Sequence, residues 1–254
     1  MSQQYRLIWF QHFHKAAGTS IIEIARANGE TFYPNHLNGN PLDKDGDEIK
    51  LWEYSKDDLI AFIDQCQAMG VTLVSTEWGL PNIEVLSNDK RVVIITCLRE
   101  PLARFKSNFL FDLHNGFTPA RSLETYISSR QRTITMPNYY CRILSYKNNE
   151  PSMVIEKDYL LARENLNKFD FVMHLHDGMS KLIKFMKWNN TDTPHLNKTK
   201  QSYRTLISLL LHRKWKLLYL RIRFPNVTAT DEFKADYYRS NHWDVELLKY
   251  SKTQ

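Results

Sequence analysis

The chain has 254 residues, of which 43% are hydrophobic and 13% aromatic, so it is long and apolar enough to bury a sizeable core. Its formal net charge is +6, and its eight glycines and nine prolines are too few for a linker-rich or disordered protein. The three cysteines are far apart and show no metal-ligand spacing, so we expect neither a disulfide framework nor a metal site.

Apolar runs and helical periodicity alternate along the chain. Strands are predicted at 5–10, 71–76, 91–98, 152–157 and 169–175. Helices are predicted at 19–28, 55–70, 100–114, 177–188 and, as one long element, 202–224, with a long loop at 30–50. This alternation predicts an α/β fold in which one domain, 1–254, has a central parallel sheet flanked by crossover helices.

A short segment of small and polar residues joins the first strand to the first helix. It consists of Lys15, Ala16, Ala17, Gly18, Thr19 and Ser20. Ligands of parallel α/β folds bind at the carboxyl ends of the strands, where a helix N-terminus offers free N–H groups to phosphate. The small residues let the backbone approach such a group, the hydroxyls add donors, and Lys15 adds a charge. The alternative is that Thr19 or Ser20 only caps the helix and Lys15 lies on the surface.

This segment is not a Walker A loop. In that motif the lysine directly follows the second glycine, and the next hydroxyl binds magnesium. Here Lys15 comes three residues before the only glycine, Gly18.

A second candidate motif follows the strand at 91–98. Arg99 comes at the end of that strand, and Ser107 follows eight residues later, inside the next helix. Helical spacing places Ser107 on the same face as Glu100, and an arginine fork with a hydroxyl suits a second phosphate. The alternative is that Arg99 pairs with Glu100 or Asp112.

Together the two motifs resemble those of sulfotransferases that use 3′-phosphoadenosine-5′-phosphosulfate (PAPS). The segment at 14–20 is similar to their 5′-phosphosulfate loop, and 98–109 is similar to their 3′-phosphate element. The nearest branch is the heparan and uronyl 2-O-sulfotransferase type, which segments at 137–144, 169–186, 194–199 and 241–250 also resemble, more weakly. One departure is His14, which stands where proline is usual.

The resemblance implies a P-loop-NTPase-like sulfotransferase fold and direct, in-line transfer of a sulfuryl group to a hydroxyl or amine, without a metal. Lys15 would neutralise charge on the bridging oxygen as the phosphosulfate bond breaks. Thr19, Ser20 and the loop amides would hold the 5′-phosphate. Arg99 and Ser107 would hold the 3′-phosphate.

The resemblance also implies a base just past the second parallel strand, either a histidine or a glutamate. Glu77 occupies that place and is our first candidate, and it would be a better base if burial beside Trp78 raised its pKa. Branch members with histidine at this place are familiar, so Glu77 is a second departure. His12 and His14, which flank the loop, are rivals. Lys198, in a polar segment at 195–201, would contact a phosphate, unless that segment is only a solvated connection.

We expect a small metabolite or natural product as the acceptor, and the loops at 30–50 and 110–140 to shape its pocket. A soluble glycan is the alternative acceptor, and a magnesium-dependent nucleotide kinase and a nucleotide-binding module without chemistry are alternative functions. The N-terminal apolar run is too short for a signal peptide, so we expect a cytoplasmic protein without a membrane partner. No recognition motif predicts a nucleic-acid partner.

Overall fold

The structure, a computed structural model, describes residues 5–128, 133–148, 150, 152–190 and 203–253. The strands are β1 (Leu7–Gln11), β2 (His36–Leu37), β3 (Asn40–Pro41), β4 (Leu73–Thr76), β5 (Val92–Leu98) and β6 (Phe171–His174). The helices are α1 (Gly18–Ala27), α2 (Lys56–Ala68), α3 (Ile83–Asn88), α4 (Pro101–Asn115), α5 (Leu123–Ser128), α6 (Tyr139–Leu144), α7 (Glu156–Leu166), α8 (Ser180–Met186), α9 (Tyr203–Leu211), α10 (Trp215–Arg223), α11 (Asp231–Ser240) and α12 (His242–Tyr250). In the part of the chain described, no helix is both long and apolar enough to cross a lipid bilayer.

A four-stranded parallel sheet in the order β4-β1-β5-β6 forms the centre of the fold. All five residues of β1 are buried, as expected for a parallel strand that is covered by helices on both faces. The prediction of an α/β fold with a central parallel sheet and flanking helices is therefore confirmed.

The strand order places a topological switch point between β1 and β5. In the order β4-β1-β5-β6, the chain runs from β1 to its neighbour β4 on one side. It runs from β5 to its neighbour β6 on the other side. The two strands pair from Leu7–Val92 to Gln11–Thr96, which brings their carboxyl ends side by side. Ligands of open α/β sheets bind in the crevice at such a point.

Helix α6 joins the ends of these two strands through adjacent tyrosines. The hydroxyl of Tyr139 accepts a hydrogen bond from His14 N at 3.1 Å. The hydroxyl of Tyr140 accepts from Arg99 N at 3.1 Å and donates to Arg99 O at 2.8 Å. Asp244 of α12 in turn accepts from the backbone N–H of Tyr140 at 3.0 Å. The buried tyrosine pair thus fixes the backbone on both sides of the switch point.

The predicted strand at 152–157 is wrong. Helix α7 begins at Glu156, and the carboxylate of Asp158 accepts from Ile155 N at 2.9 Å and from Lys147 Nζ at 2.7 Å. Ile155 is exposed, so the short apolar run has no second layer to cover it. An acidic residue at the start of a helix satisfies free N–H groups, and this local signal outweighs the apolar run.

The single long helix predicted at 202–224 is also wrong, because the structure has two helices, α9 and α10. Arg213 adopts a left-handed conformation with φ of 54°. Its N–H donates to Leu210 O at 3.1 Å, and Lys214 N donates to Leu209 O at 2.9 Å. These two bonds form a Schellman motif, which ends α9 and turns the chain.

The predicted loop at 30–50 contains a small hairpin. Strands β2 and β3 pair antiparallel through a turn in which Asn38 and Gly39 have φ of 51° and 84°. Asn-Gly is the preferred pair for such a two-residue turn. Ser75 N donates to Gly39 O at 2.9 Å, which seats the hairpin on β4 beside the switch point.

Replacing Asp244 with alanine should destabilise the protein. Its carboxylate is buried and accepts from two buried N–H groups, those of Tyr140 and Cys141. We expect the free energy of unfolding, measured by urea denaturation, to fall by about 2–4 kcal/mol, because each buried donor left unpaired costs roughly 1–3 kcal/mol. Asp231→Ala, at an exposed carboxylate of α11, is the matched control and should cost less than about 1 kcal/mol. Equal losses in the two variants would contradict this role.

Candidate functional site

The loop after β1 has a backbone that alternates in handedness. Lys15 and Ala17 are both left-handed, each with φ of 63°, whereas Ala16 between them is not. Non-glycine residues rarely have positive φ, and such alternation of handedness makes a concavity of backbone N–H groups that suits an anion. Ala16 N donates to Phe13 O at 3.0 Å and closes the turn. The loop therefore has the backbone shape of an anion-binding concavity.

Helix α1 begins directly at this loop. Its first residue is Gly18, and Ala17 at the N-cap position gives no side-chain hydrogen bond. Thr19 is exposed and Ser20 half-buried, and both lie within the first turn, so the alternative that one of them caps the helix is excluded. First-turn N–H groups need partners and carry the positive end of the helix dipole. The start of α1 thus offers hydrogen-bond donors to a ligand.

Gly18 is required by close packing against His12. A Cβ added at Gly18 would lie 1.9 Å from His12 Nε2, far inside any contact distance. The His12 ring is buried and stacks on Phe10, with ring centroids 5.5 Å apart. The His12 ring therefore packs directly against the first turn of α1.

Arg99 and Lys15 meet at the switch point. Arg99 Nη1 donates to Lys15 O at 3.1 Å, which ties the end of β5 to the loop after β1. Lys15 Nζ lies 4.2 Å from the centroid of the Phe111 ring. Burial lowers the pKa of Lys15 because it disfavours the charged form, and the positive charge of Arg99 lowers it further. Among the described residues neither cation forms an ion pair with a carboxylate, so an anion would stabilise both.

The carboxylates considered as alternative partners of Arg99 are engaged elsewhere. Glu100 caps α4 by accepting from Leu102 N at 2.8 Å and from Ala103 N at 2.6 Å. Asp112 accepts from the hydroxyl of Tyr126 at 2.6 Å. Ser107 is half-buried on α4, and none of the contacts described joins it to Arg99 or Lys15. The structure thus brings Arg99 to the loop but leaves the predicted role of Ser107 a prediction.

The three candidate bases lie together beside the loop. His14 Nδ1 is 2.7 Å from Glu77 Oε1, and His12 Nδ1 is 3.6 Å from Glu77 Oε2, which is too long for a hydrogen bond. The side chain of Asn40 also hydrogen-bonds to Glu77. His14 Nε2 is buried and has no hydrogen-bond partner. His14 and Glu77 therefore form a histidine–carboxylate pair, and the second ring nitrogen of His14 is buried without a hydrogen-bond partner.

The condition under which Glu77 would be a better base, a pKa raised by burial, is not met. Burial alone would raise this pKa, but the charge of His12 and the hydrogen bond and charge of His14 outweigh it, so the pKa lies below its usual value. Glu77 is then a carboxylate at neutral pH, and it must accept the proton that His14 carries on Nδ1. In the neutral form of His14 the lone pair is then on Nε2. Burial lowers the pKa of His12, and the charge of Glu77 only partly offsets it.

Two aromatic rings and a second glutamate complete the wall beside His14. Trp78 stacks on His14 with centroids 6.0 Å apart, and Phe111 meets the same ring edge-on at 5.8 Å. Trp78 also donates a hydrogen bond to Glu48, which pairs with Leu42 across the hairpin loop. Burial, and then the charge of Glu77, raise the pKa of Glu48 to about 7. Asn40, Glu48 and Phe111 lie in the segments 30–50 and 110–140 that were expected to shape the acceptor pocket, but none of the three was predicted individually.

Lys198 lies outside the described residues. Within the described ranges, no group of three or more His, Cys, Asp or Glu side chains is placed to hold a metal ion.

No protein-family model matches the chain, and no curated protein sequence was found to match it.

Acidification should destabilise the protein partly through His12. Burial lowers its pKa in the folded state, so below the unfolded value of about 6.5 the unfolded chain binds the proton more readily and stability falls as the pH falls. We expect His12→Gln to flatten the decline in unfolding free energy below pH 6.5 by up to about 1.4 kcal/mol per pH unit. Urea denaturation between pH 7.5 and 5, at roughly half-unit steps, measures the slope.

The exposed His212 provides a control, because His212→Gln removes a histidine without removing a buried group. An identical slope for wild type and His12→Gln would show that His12 is protonated equally in the folded and unfolded states.

Proposed function

We propose that the protein is a PAPS-dependent sulfotransferase with a P-loop-NTPase-like sulfotransferase fold. The observation that carries the proposal is the meeting of Lys15 and Arg99 at the switch point of the sheet, beside the uncapped start of α1. Two partly buried cations, a concave backbone and free helix donors favour a ligand that carries more than one phosphate or sulfate group.

In this proposal Ala16, Ala17, Gly18, Thr19 and Ser20 hold the 5′-phosphosulfate. Arg99 binds the 3′-phosphate, with Ser107 as a further donor. Lys15 neutralises the negative charge that grows on the bridging oxygen as sulfur leaves the phosphate. Preorganised charge of this kind is commonly worth about 3–4 kcal/mol per donor in the transition state.

His14 is the proposed general base, with Glu77 as its orienting partner. Glu77 fixes the tautomer of His14, which leaves Nε2 to accept the proton of the acceptor hydroxyl or amine as the sulfuryl group arrives. Because Nε2 is buried, the acceptor must displace the neighbouring ring of Trp78 or Phe111 to reach it. His14 stands where the resembling family usually has proline, and Glu77 stands where histidine is familiar. The two departures are in hydrogen-bond contact in this chain, which supports a base supplied from the loop instead of from the strand end. His12 is then a packing residue.

The acceptor that fits best is a small, uncharged molecule with an apolar face. Trp78 and Phe111 flank His14 and remain 39% and 38% exposed, so they offer ring surface beside Nε2. An anionic glycan would have to approach Glu77, an ionised carboxylate, at the same place. The proposal therefore favours a small metabolite over a sulfated or carboxylated polysaccharide.

The nucleotide site is tested by calorimetric binding of 3′-phosphoadenosine-5′-phosphate (PAP), AMP and ATP without magnesium. We expect clear preference for PAP, because AMP lacks the 3′-phosphate that Arg99 would bind. Arg99→Ala should weaken PAP binding by about tenfold to a hundredfold and AMP binding much less, since a charge-assisted hydrogen bond contributes roughly 1.5–3 kcal/mol. Ser107→Ala should act in the same direction with a smaller effect.

Ser87→Ala, on α3, is the matched control for Ser107→Ala and should leave the affinity unchanged. Equal binding of PAP and AMP, or ATP binding that requires magnesium, would rule out the PAPS site and favour a phosphotransferase.

The base is tested by the rate of PAP formation from PAPS with an acceptor found by screening. We expect His14→Gln to lower kcat by about a hundredfold to ten-thousandfold, the usual contribution of a general base, while PAP affinity changes little. Glu77→Gln should lower kcat and alter the pH profile, because it no longer fixes the tautomer of His14. His36→Gln, in the hairpin loop, is the control. Full activity of His14→Gln would leave Glu77 or His12 as the base.

A further inference from the structure

The basic charge of the chain is concentrated in one segment. Between 193 and 230 there are eight lysines and arginines and no acidic residue, so the other 216 residues carry a net charge of −2. The described part of this segment contains α9, the corner at Arg213, and α10. The excess of basic charge that the composition suggests is therefore a local property of this helix pair and the residues that precede it.

The same helix pair exposes large apolar side chains. On α10, Trp215, Tyr219 and Ile222 recur at helical spacing and are 58%, 60% and 61% exposed. On α9, Ile207, Leu210 and Leu211 are also exposed. Several large apolar side chains exposed on neighbouring helices of a folded protein indicate an interaction surface. We call these six residues the apolar stripe.

The opposite side of α10 explains why the apolar stripe faces outward. Leu220 is buried and Leu217 packs beside it, in a second apolar cluster with residues of α4. His114 Nε2 lies 2.8 Å from Phe224 O and holds the end of the helix to α4. Because Leu217 and Leu220 already pack the inner side of α10 against α4, the α10 residues of the apolar stripe remain on the outer, exposed side.

Basic side chains lie next to the apolar stripe. Arg213, Lys214, Lys216 and Arg223 are all exposed, and they occupy the corner and both ends of α10. A helix that combines an apolar face, an aromatic residue and basic side chains is typical of proteins that lie in the interface of an anionic bilayer.

We propose that α9 and α10 dock the protein on an anionic phospholipid surface, with the apolar stripe inserted among the lipids and the basic residues on the headgroups. A second copy of the chain fits less well, because a symmetric contact would bring the basic corner of one copy towards that of the other. Nucleic acid carries negative charge that would attract the basic residues, but it has no apolar layer in which Trp215 and Ile222 could be buried. This is association with a membrane surface without a spanning helix, and it departs from the expectation that the protein has no membrane partner.

The test is co-sedimentation of the full chain with vesicles of phosphatidylcholine alone or with about 30% phosphatidylserine. We expect binding to the anionic vesicles only, and its loss when salt rises from about 0.1 M to about 1 M, because the Debye length shrinks from ~10 Å to ~3 Å. Replacing both Lys214 and Lys216 with glutamine should weaken binding by roughly fivefold per residue. Trp215→Gln and Ile222→Gln should each weaken it by about tenfold, since insertion depends on buried apolar area.

Met153→Gln and Lys249→Gln are matched controls, because both side chains are exposed outside the segment. They should leave vesicle binding unchanged. The four substituted residues of the helix pair are themselves exposed, so circular dichroism should show the same fold in every variant.

Three outcomes would overturn the proposal. The first is absence of binding to the anionic vesicles, which would leave an acidic protein as the partner. The second is equal binding to neutral vesicles, which would remove the role of charge. The third is a concentration-dependent dimer, seen by sedimentation without lipid and lost in Trp215→Gln, which would assign the apolar stripe to a second copy of the chain.

Discussion

The hydrogen bond from Arg99 to the carbonyl of Lys15 connects the two halves of the candidate site. It joins the loop after β1 to the end of β5 across the switch point, and it brings two cations into one partly buried place. Tyr139 and Tyr140 hold the backbone on either side of it. The positions of the loop, the arginine and α6 therefore depend on each other, although they come from three distant parts of the chain.

The candidate site has a positively charged part, formed by Lys15 and Arg99, and a part that contains the carboxylate of Glu77. At the switch point two cations lie together without a carboxylate partner in the described residues, which suits an anionic group. One residue before Lys15, His14 contacts Glu77 instead, so a carboxylate and a ring nitrogen without a partner adjoin the loop that carries Lys15. In the proposed function, the anionic donor and the proton-bearing acceptor meet where these two environments adjoin.

The sequence predicted the main strands, the parallel sheet and the helices that begin with clear caps, such as α2 after Ser55. Local signals that were present but overlooked account for the errors: the Asn38–Gly39 turn, and Asp158 at the start of α7. The corner at Arg213 had no glycine to indicate it. The 30–50 segment was expected at the site, but the contact of His14 with Glu77 and the positions of Asn40 and Glu48 could not be predicted residue by residue, because they depend on how the hairpin and β4 pack onto the loop.

The packing of His12 against Gly18 makes the substitutions tolerated at these two positions depend on each other. Any side chain at 18 would collide with the imidazole, so a substitution there is tolerated only in a sequence whose residue at 12 is smaller. The reverse change is easier, since a smaller residue at 12 leaves glycine at 18 unstrained by contact. Among descendants of this sequence, the two positions should therefore covary, with change at 12 preceding change at 18.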